Sequence, residues 1–480
     1  MLTGGTAART PTGARPTEPR FAIAANVLLV VLVGATAALV VGYDILGPGG
    51  RVAAAIFAFG AFGALFFPRV RVALTAARVL IVAAALIAIA VLSPPVGSHD
   101  LWSYAAYGRL VSAHHVSPFT RVPAAFPHDP MFHLIARGWR HTGSVYGPGF
   151  VAISAVGTAV AGMSQLATRL FFQLLEAVAL GTALLIIWRR TRDPIALAFI
   201  ALNPALIVVV NGGHNDIVVG LALLAGTLLL TDGHPREAGL VLGAGALVKL
   251  VLVLPLGALL IWAWRRRGPR AAVEAGASAS TLLLGAYLAA GGVEALGPLL
   301  HASKQHSRSS LWRIATELLA RPLGVHRSAL FSLEGGAALA LIATVVVLVV
   351  VSTTRGGARP ASDSSTAVIV AGAAALVYLF AGAYILPWYS AWALPVLALV
   401  WSSRVAVLAA GQAALIGVAY AAPLVFGVVV RTYAQDVVPV VLLGALTYLA
   451  VSAWRDRLGH RIGATRPSPA QLLDARVAPP

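Results

Sequence analysis

Six of the twelve histidines of this 480-residue chain fall between Gly97 and Gly149: His99, His114, His115, His128, His133 and His141. Asp100 and Asp129 lie in the same stretch. Asp100 follows His99 and precedes Trp102 and Tyr104, with Tyr107 and Gly108 at helical spacing. A carboxylate in this setting can take a proton, and the aromatic rings beside it can seat a sugar or a lipid headgroup. A helix beginning at Leu101 would put Asp100 at its cationic end, where the dipole keeps the carboxylate ionised. The plain alternative is a solvated helix end or an N-cap.

Further signals follow in order. Asn203-Pro204 leads to Asn211-Gly212-Gly213-His214-Asn215-Asp216. The glycine pair ends one helix and Asn215 or Asp216 caps the next, yet capping alone leaves the grouping of His214, Asn215 and Asp216 between two apolar runs unexplained. Lys249 sits in ALVKLVLVLPL, apolar on both sides. Intramembrane lysines are costly and tend to be functional, with snorkelling to an interface as the alternative. Such an ammonium, facing a cavity, can hold a phosphate. His301, Lys304, Gln305, His306, Ser307 and Arg308 form a basic loop suited to a lipid phosphate, or simply a solvated one. Trp388, Tyr389 and Trp392 form an aromatic rim at a helix end, which is also how an interfacial belt looks. Asp129, Glu176, Arg109, Arg431 and Tyr433 are weaker candidates, and Glu176 stands alone inside an apolar run.

The elements that must position these groups are membrane helices. Hydrophobic residues make up 59% of the chain and charged residues 11%, well under the ~25% of a soluble domain. The expected fold is an all-α polytopic integral membrane protein of about 12–14 transmembrane helices, with a large extracytoplasmic first loop carrying short interfacial helices. The expected runs are 21–43, 52–67, 72–93, 148–167, 169–188, 194–211, 215–231, 239–264, 271–292, 331–352, 366–386, 388–403, 405–428 and 437–454. Residues 1–20 and 457–480 read as cytoplasmic tails, the first disordered, around one transmembrane domain at 21–456. The run from Phe21 to Tyr43 is too long for a signal-peptide core and is expected to remain.

Bases cluster in short loops, as at Arg69 and Arg71, Arg189–Arg192, Arg265–Arg267, and Arg455 and Arg457. With these loops inside, residues 94–147, His214–Asp216, 293–330 and Trp388 face outside. Both termini and Arg404 then lie in the cytoplasm. The rule fails if all the middle runs cross fully. It is satisfied if 148–167 is partial, re-entrant or interfacial and 239–264 is two half-helices broken around Lys249. The net charge of +18 is accounted for by these loops, so nucleic acid is not an expected partner. The chain has no cysteine, which excludes disulfides, thiolate metal sites and cysteine nucleophiles.

These motifs resemble those of GT-C superfamily glycosyltransferases, and most nearly the polyprenol-phosphate-mannose-dependent α-1,6-mannosyltransferase family. Asp100 to Leu110 (DLWSYAAYGRL) is similar to the family's first-loop acid motif, and Tyr146-Gly147-Pro148 to the motif closing that loop. Asn203-Pro204 with Gly213-His214-Asn215-Asp216 is similar to its second motif. Lys249 and Pro387-Trp388-Tyr389 through Trp392 and Pro395 match later signatures. The chain departs from the pattern at Ser117-Pro118-Phe119 and Ser144-Val145.

The resemblance implies an inverting transfer of a sugar, above all mannose, from a polyprenyl-phosphate donor to a cell-envelope glycan or glycolipid acceptor outside the plasma membrane. Asp100 would be the general base. His99, Trp102, Tyr104, Tyr146, His214, Asn215 and Asp216 would line the acceptor side or form the second motif. Lys249, Lys304, His306 and Arg308 would hold the donor phosphate. No cofactor and no metal are expected. The lipid bilayer is the remaining partner. A transporter or lipid flippase is the rival class, although no repeated halves and no paired midplane charges are visible. The same chemistry with another polyprenyl-phosphate sugar is the rival within the class.

Overall fold

The computed structural model describes residues 19–42, 45–302, 305–324, 327–355 and 363–455. The expected tails lie outside the described residues, except that Pro19 and Arg20 open the first helix, Pro19–Val41. Among the described residues every regular element is helical.

Among the described residues, seven helices are long and apolar enough to cross a membrane: Pro19–Val41, Gly47–Leu65, Gln165–Thr191, Pro269–Ala289, Glu334–Thr354, Ser364–Ala381 and Val428–Trp454. A pair of helices bent by 47°, Pro194–Ala201 and Pro204–Gly212, makes an eighth if the two count as one broken span. Four shorter apolar helices join them: Ala76–Leu92, Pro148–Ala161, Asp216–Thr231 and Arg404–Tyr420. The expected count of about 12–14 treats every apolar run as one helix; the structure breaks several of them. Asn203-Pro204 interrupts 194–211, because proline lacks an N–H and restrains the residue before it. Asn203 Oδ1 accepts from the amide of Ala205 at 3.1 Å and restarts the helix.

The run 239–264 breaks at Lys249, as the charge pattern requires. Helix Pro235–Val248 stops at an extended Lys249, a single 3₁₀ turn follows, and helix Val253–Arg267 resumes. The expectation of a regular helix over 388–403 needs correction. That segment is 3₁₀ from Pro387 to Trp392, α for four residues from Leu394 to Leu397, and 3₁₀ again over Ala398–Val400. Pro387 and Pro395 remove helix donors, and burial within the protein makes irregular backbone tolerable at depth.

Two ends can be told apart by their contacts. At one end Arg69 lies over the Phe21 ring and Arg71 over Trp401, whose Nε1 donates to Asp193. Arg190 pairs with Asp232, Arg267 donates to the Thr231 carbonyl, and Arg266 to that of Thr353. The long polar stretch and the Asn211–Asp216 turn gather at the other end. Helix Pro148–Ala161 begins and finishes there. The Gly147 amide donates to the Val248 carbonyl, and Arg109, from the polar stretch, donates to the Gly162 carbonyl. This 14-residue helix is therefore held at the polar end by both of its termini, in line with a partial segment at 148–167.

Candidate active site

Three breaks in the bundle meet at this end. Helix Pro204–Gly212 stops at Gly213, whose φ of +58° is the left-handed conformation that glycine adopts without strain. Three residues later helix Asp216–Thr231 begins. Asn215 makes no capping bond there. The cap comes from another helix: buried Glu176 accepts from the amides of Ile217 at 2.7 Å and Val218 at 3.4 Å. Helix Asp100–Ser112 starts one residue before the expected Leu101, with Asp100 in its first turn. Most of this helix is buried, including Leu101, Tyr104, Tyr107 and Leu110, so it is packed into the protein rather than laid along a surface. The third break is Lys249.

The side chains from these breaks converge. His214 Nδ1 lies 3.5 Å from the Asp100 carboxylate. The His214 ring stacks on Trp388 with centroids 4.1 Å apart. Lys249 Nζ is 2.6 Å from Asp216 Oδ1, which also accepts from Trp392 Nε1 at 2.5 Å. The ammonium sits 4.5 Å from the Tyr389 ring centroid, 5.3 Å from Trp392 and 5.9 Å from Tyr146. Tyr104 meets Tyr146 edge-on at 4.8 Å. The wall carrying Trp392 lies hard against helix Asp216–Thr231. A Cβ on Gly220 would come 2.1 Å from the Ala391 carbonyl oxygen, so only glycine fits.

The two acids differ in access. The Asp216 side chain is fully buried, whereas that of Asp100 is 21% exposed. Burial pushes the Asp100 carboxyl up, but His214, Lys249 and the Ser98 hydroxyl together hold it below the usual aspartate range. Its place in the first turn of helix Asp100–Ser112 favours the negative charge as well. Asp216 Oδ2, both polar atoms of the Asn215 side chain and the Tyr104 hydroxyl have no hydrogen-bonding partner among the described residues.

The polar stretch is pinned elsewhere. Arg109 Nε bonds Asp129 at 2.8 and 2.9 Å, His114 Nε2 bonds it at 2.8 Å, and the Met131 amide at 3.0 Å. Burial pushes the Asp129 carboxyl up, and the Met131 amide, Arg109 and His114 together pull it below its ordinary value. Asp129 and Arg109 are thus structural partners. His99 also serves the stretch, with Nδ1 2.9 Å from the Leu134 carbonyl.

Of the residues singled out from sequence, Asp100, Tyr104, Tyr146, His214, Asp216, Lys249, Trp388, Tyr389 and Trp392 come together, and Asn215 stands between two of them. Trp102 is partly buried and packs against the hydrophobic core. Lys304 lies outside the described residues. His306 pairs with buried Glu334 at 3.2 Å. Arg308 lies 3.8 Å over the Tyr420 ring and donates to the Ala422 carbonyl. Between them, Ser307 donates its amide to the Ala383 carbonyl and accepts from the Ile385 amide, just before Pro387. Two further residues matter here: Gln173, which its sequence context did not single out, and Glu176, which had no assigned role. Their signal was two polar residues three apart on one face of an apolar span. Among the described residues no group of three or more His, Cys, Asp or Glu is arranged to hold a metal.

A family model described as "Alpha-(1->6)-mannopyranosyltransferase, N-terminal domain" matches residues 7–266, more than half of the chain. The chain is 29% identical over 215 residues to Alpha-(1->6)-mannopyranosyltransferase A of Mycobacterium tuberculosis (strain ATCC 25618 / H37Rv). That alignment covers 41% of this chain and 40% of the relative. No solved structure matches.

Proposed function

The chain belongs to the alpha-(1->6)-mannopyranosyltransferase family, and we propose that it transfers mannose from a polyprenyl-phosphate donor to a glycan or glycolipid acceptor of the cell envelope. Asp100 is the general base. It takes the proton of the acceptor hydroxyl as that oxygen attacks the anomeric carbon. The bond from that carbon to the phosphate oxygen breaks, and polyprenyl phosphate leaves with the electron pair. Attack opposite the leaving group inverts a β-linked donor to an α-mannoside.

The observation that carries this reading is the asymmetry of the two acids. Asp100 is the reachable one, with its carboxylate ionised and His214 at 3.5 Å. Asp216 is fully buried and committed to Lys249 and Trp392. Lys249 has three N–H donors and Asp216 takes one. The others face the charge that grows on the leaving phosphate. Tyr146, Trp388 and Tyr389 wall the substrates, and His306 and Arg308 flank Ser307, which bonds the segment leading into that wall. The arginines at the opposite end of the bundle support a cytoplasmic position for that end and an extracytoplasmic site.

The test is transfer by purified protein in lipid nanodiscs from radiolabelled polyprenyl-phosphate mannose to a mannan oligosaccharide. The expected product loses its label to α-mannosidase and keeps it against β-mannosidase. Transfer only from another polyprenyl-phosphate sugar would overturn the choice of mannose. Lipid translocation without any transfer would move the protein to the flippase class.

A further inference from the structure

The turn that carries His214 and Asp216 does not hold itself. Helix Pro204–Gly212 ends in carbonyls and helix Asp216–Thr231 begins with amides, and each helix end leaves such groups unpaired. One face of helix Gln165–Thr191 answers both. Gln173 Nε2 donates to the Asn211 carbonyl at 2.6 Å, at the negative end of the first helix. Glu176, three residues on, accepts from Ile217 and Val218 at the positive end of the second. A donor meets carbonyls and an acceptor meets amides, so each jaw supplies what the helix end it faces lacks. Both side chains are fully buried.

The same jaws reach the strand of chain that leads to Asp100. Gln173 Nε2 also donates to the carbonyls of Ala90 and Ser93, at 3.3 and 3.0 Å. Asn211 Nδ2 donates to the carbonyls of Ala90 and Pro94, and Asn211 Oδ1 accepts from the amide of Val96. The exit from helix Ala76–Leu92 and the start of helix Asp216–Thr231 are therefore fixed against a single surface. Asp100 follows the first and His214 precedes the second.

We infer that Gln173 and Glu176, with Asn211, form a positioning clamp that sets Asp100 against His214. Its role in transfer rests on the function proposed above. The clamp touches no reacting atom; it acts by holding the base and its imidazole neighbour in register.

The experiment compares Glu176→Gln with the wild type by two readouts. Glutamine keeps the shape and replaces one accepting oxygen with an NH₂ group that cannot accept. Steady-state transfer should lose roughly 10- to 100-fold in kcat, the scale of a misplacement near 1 Å, with KM for donor and acceptor unchanged. Hydrogen–deuterium exchange should quicken in peptides over 94–101 and 213–219 together. Wild-type kcat in a variant with quickened exchange would overturn the positioning role. Unchanged exchange in either peptide would overturn the clamp itself. A wild-type protein inactive on every polyprenyl-phosphate sugar would count against the proposed function, while the exchange readout still decides the clamp. Should Glu176→Gln fail to fold, Gln173→Met removes the other jaw at similar volume. The same loss of kcat and the same quickened exchange are then expected, and their absence overturns the clamp in the same way.

Discussion

Replacing Lys249 with methionine keeps much of the side-chain volume and removes the ammonium from a fully buried Asp216. At the observed 2.6 Å the Coulomb attraction is about 6 kcal/mol for an effective dielectric constant of ~20. Desolvating the two ions costs several kcal/mol each, so the intact pair contributes little net stability. The single variant loses the attraction but keeps the desolvation of Asp216, leaving the Trp392 N–H as its partner. Breaking a buried pair in this way costs about 3–5 kcal/mol. At roughly 2 °C per kcal/mol for a large domain, the Tm should fall by about 6–10 °C. The assay is thermal unfolding of the detergent-solubilised protein, followed by loss of the monodisperse peak. Lys249→Met with Asp216→Asn removes both charges and should recover most of the loss. A single variant within about 2 °C of the wild type, or a double variant worse than the sum of the singles, would refute the reasoning.

Other consequences are sharper but narrower. Gly220→Ala puts a methyl group 2.1 Å from the Ala391 carbonyl oxygen, so the aromatic wall must move and kcat should fall at least about tenfold; unchanged kcat in folded protein would contradict the close approach. The folded carboxyl of Asp129 lies below its ordinary value, so its stabilisation is present above the unfolded pKa of about 3.9 and is lost as pH falls through the folded value. Asp129→Asn should therefore lower Tm at pH 6 by the equivalent of about 2 kcal/mol, and the gap should close as the wild type is acidified through that range; a gap constant down to pH 3 would contradict it. His128 and His234 are both exposed, on the polar stretch and at the arginine-rich end respectively. In a chain without native cysteine, His128→Cys should react with an impermeant thiol reagent on intact cells and His234→Cys only after permeabilisation; the reverse pattern would turn the site towards the cytoplasm.

The sequence was most informative where a polar residue stands against its surroundings. Lys249 in an apolar run marked a real break, the extended residue at which helix Pro235–Val248 stops. Asp100 and His214–Asp216 were legible as a shared polarity on one side of the bundle, which hydropathy and charge alternation make visible. The crossing at 388–403 was not, because its apolar composition hides the effect of Pro387 and Pro395 on the backbone. Glu176 was visible as an anomaly but not as a cap, since its partners are backbone amides of a helix that begins some forty residues later. Contacts of that kind carry no signature in residue type. The same holds for the contact of Arg308 with the Tyr420 ring, more than a hundred positions on.

The central claim is that Asp100, and not Asp216, takes the acceptor proton. Single-turnover transfer at saturating polyprenyl-phosphate mannose and mannan acceptor, measured for Asp100→Asn and Asp216→Asn, tests it most directly. Removing a general base costs about 10²–10⁴ in rate. Asp100→Asn should lose that much while folding and donor binding persist, and Asp216→Asn should lose less, mainly through stability. A near wild-type rate for Asp100→Asn beside an inactive, folded Asp216→Asn would contradict the account and move the base to the second acid.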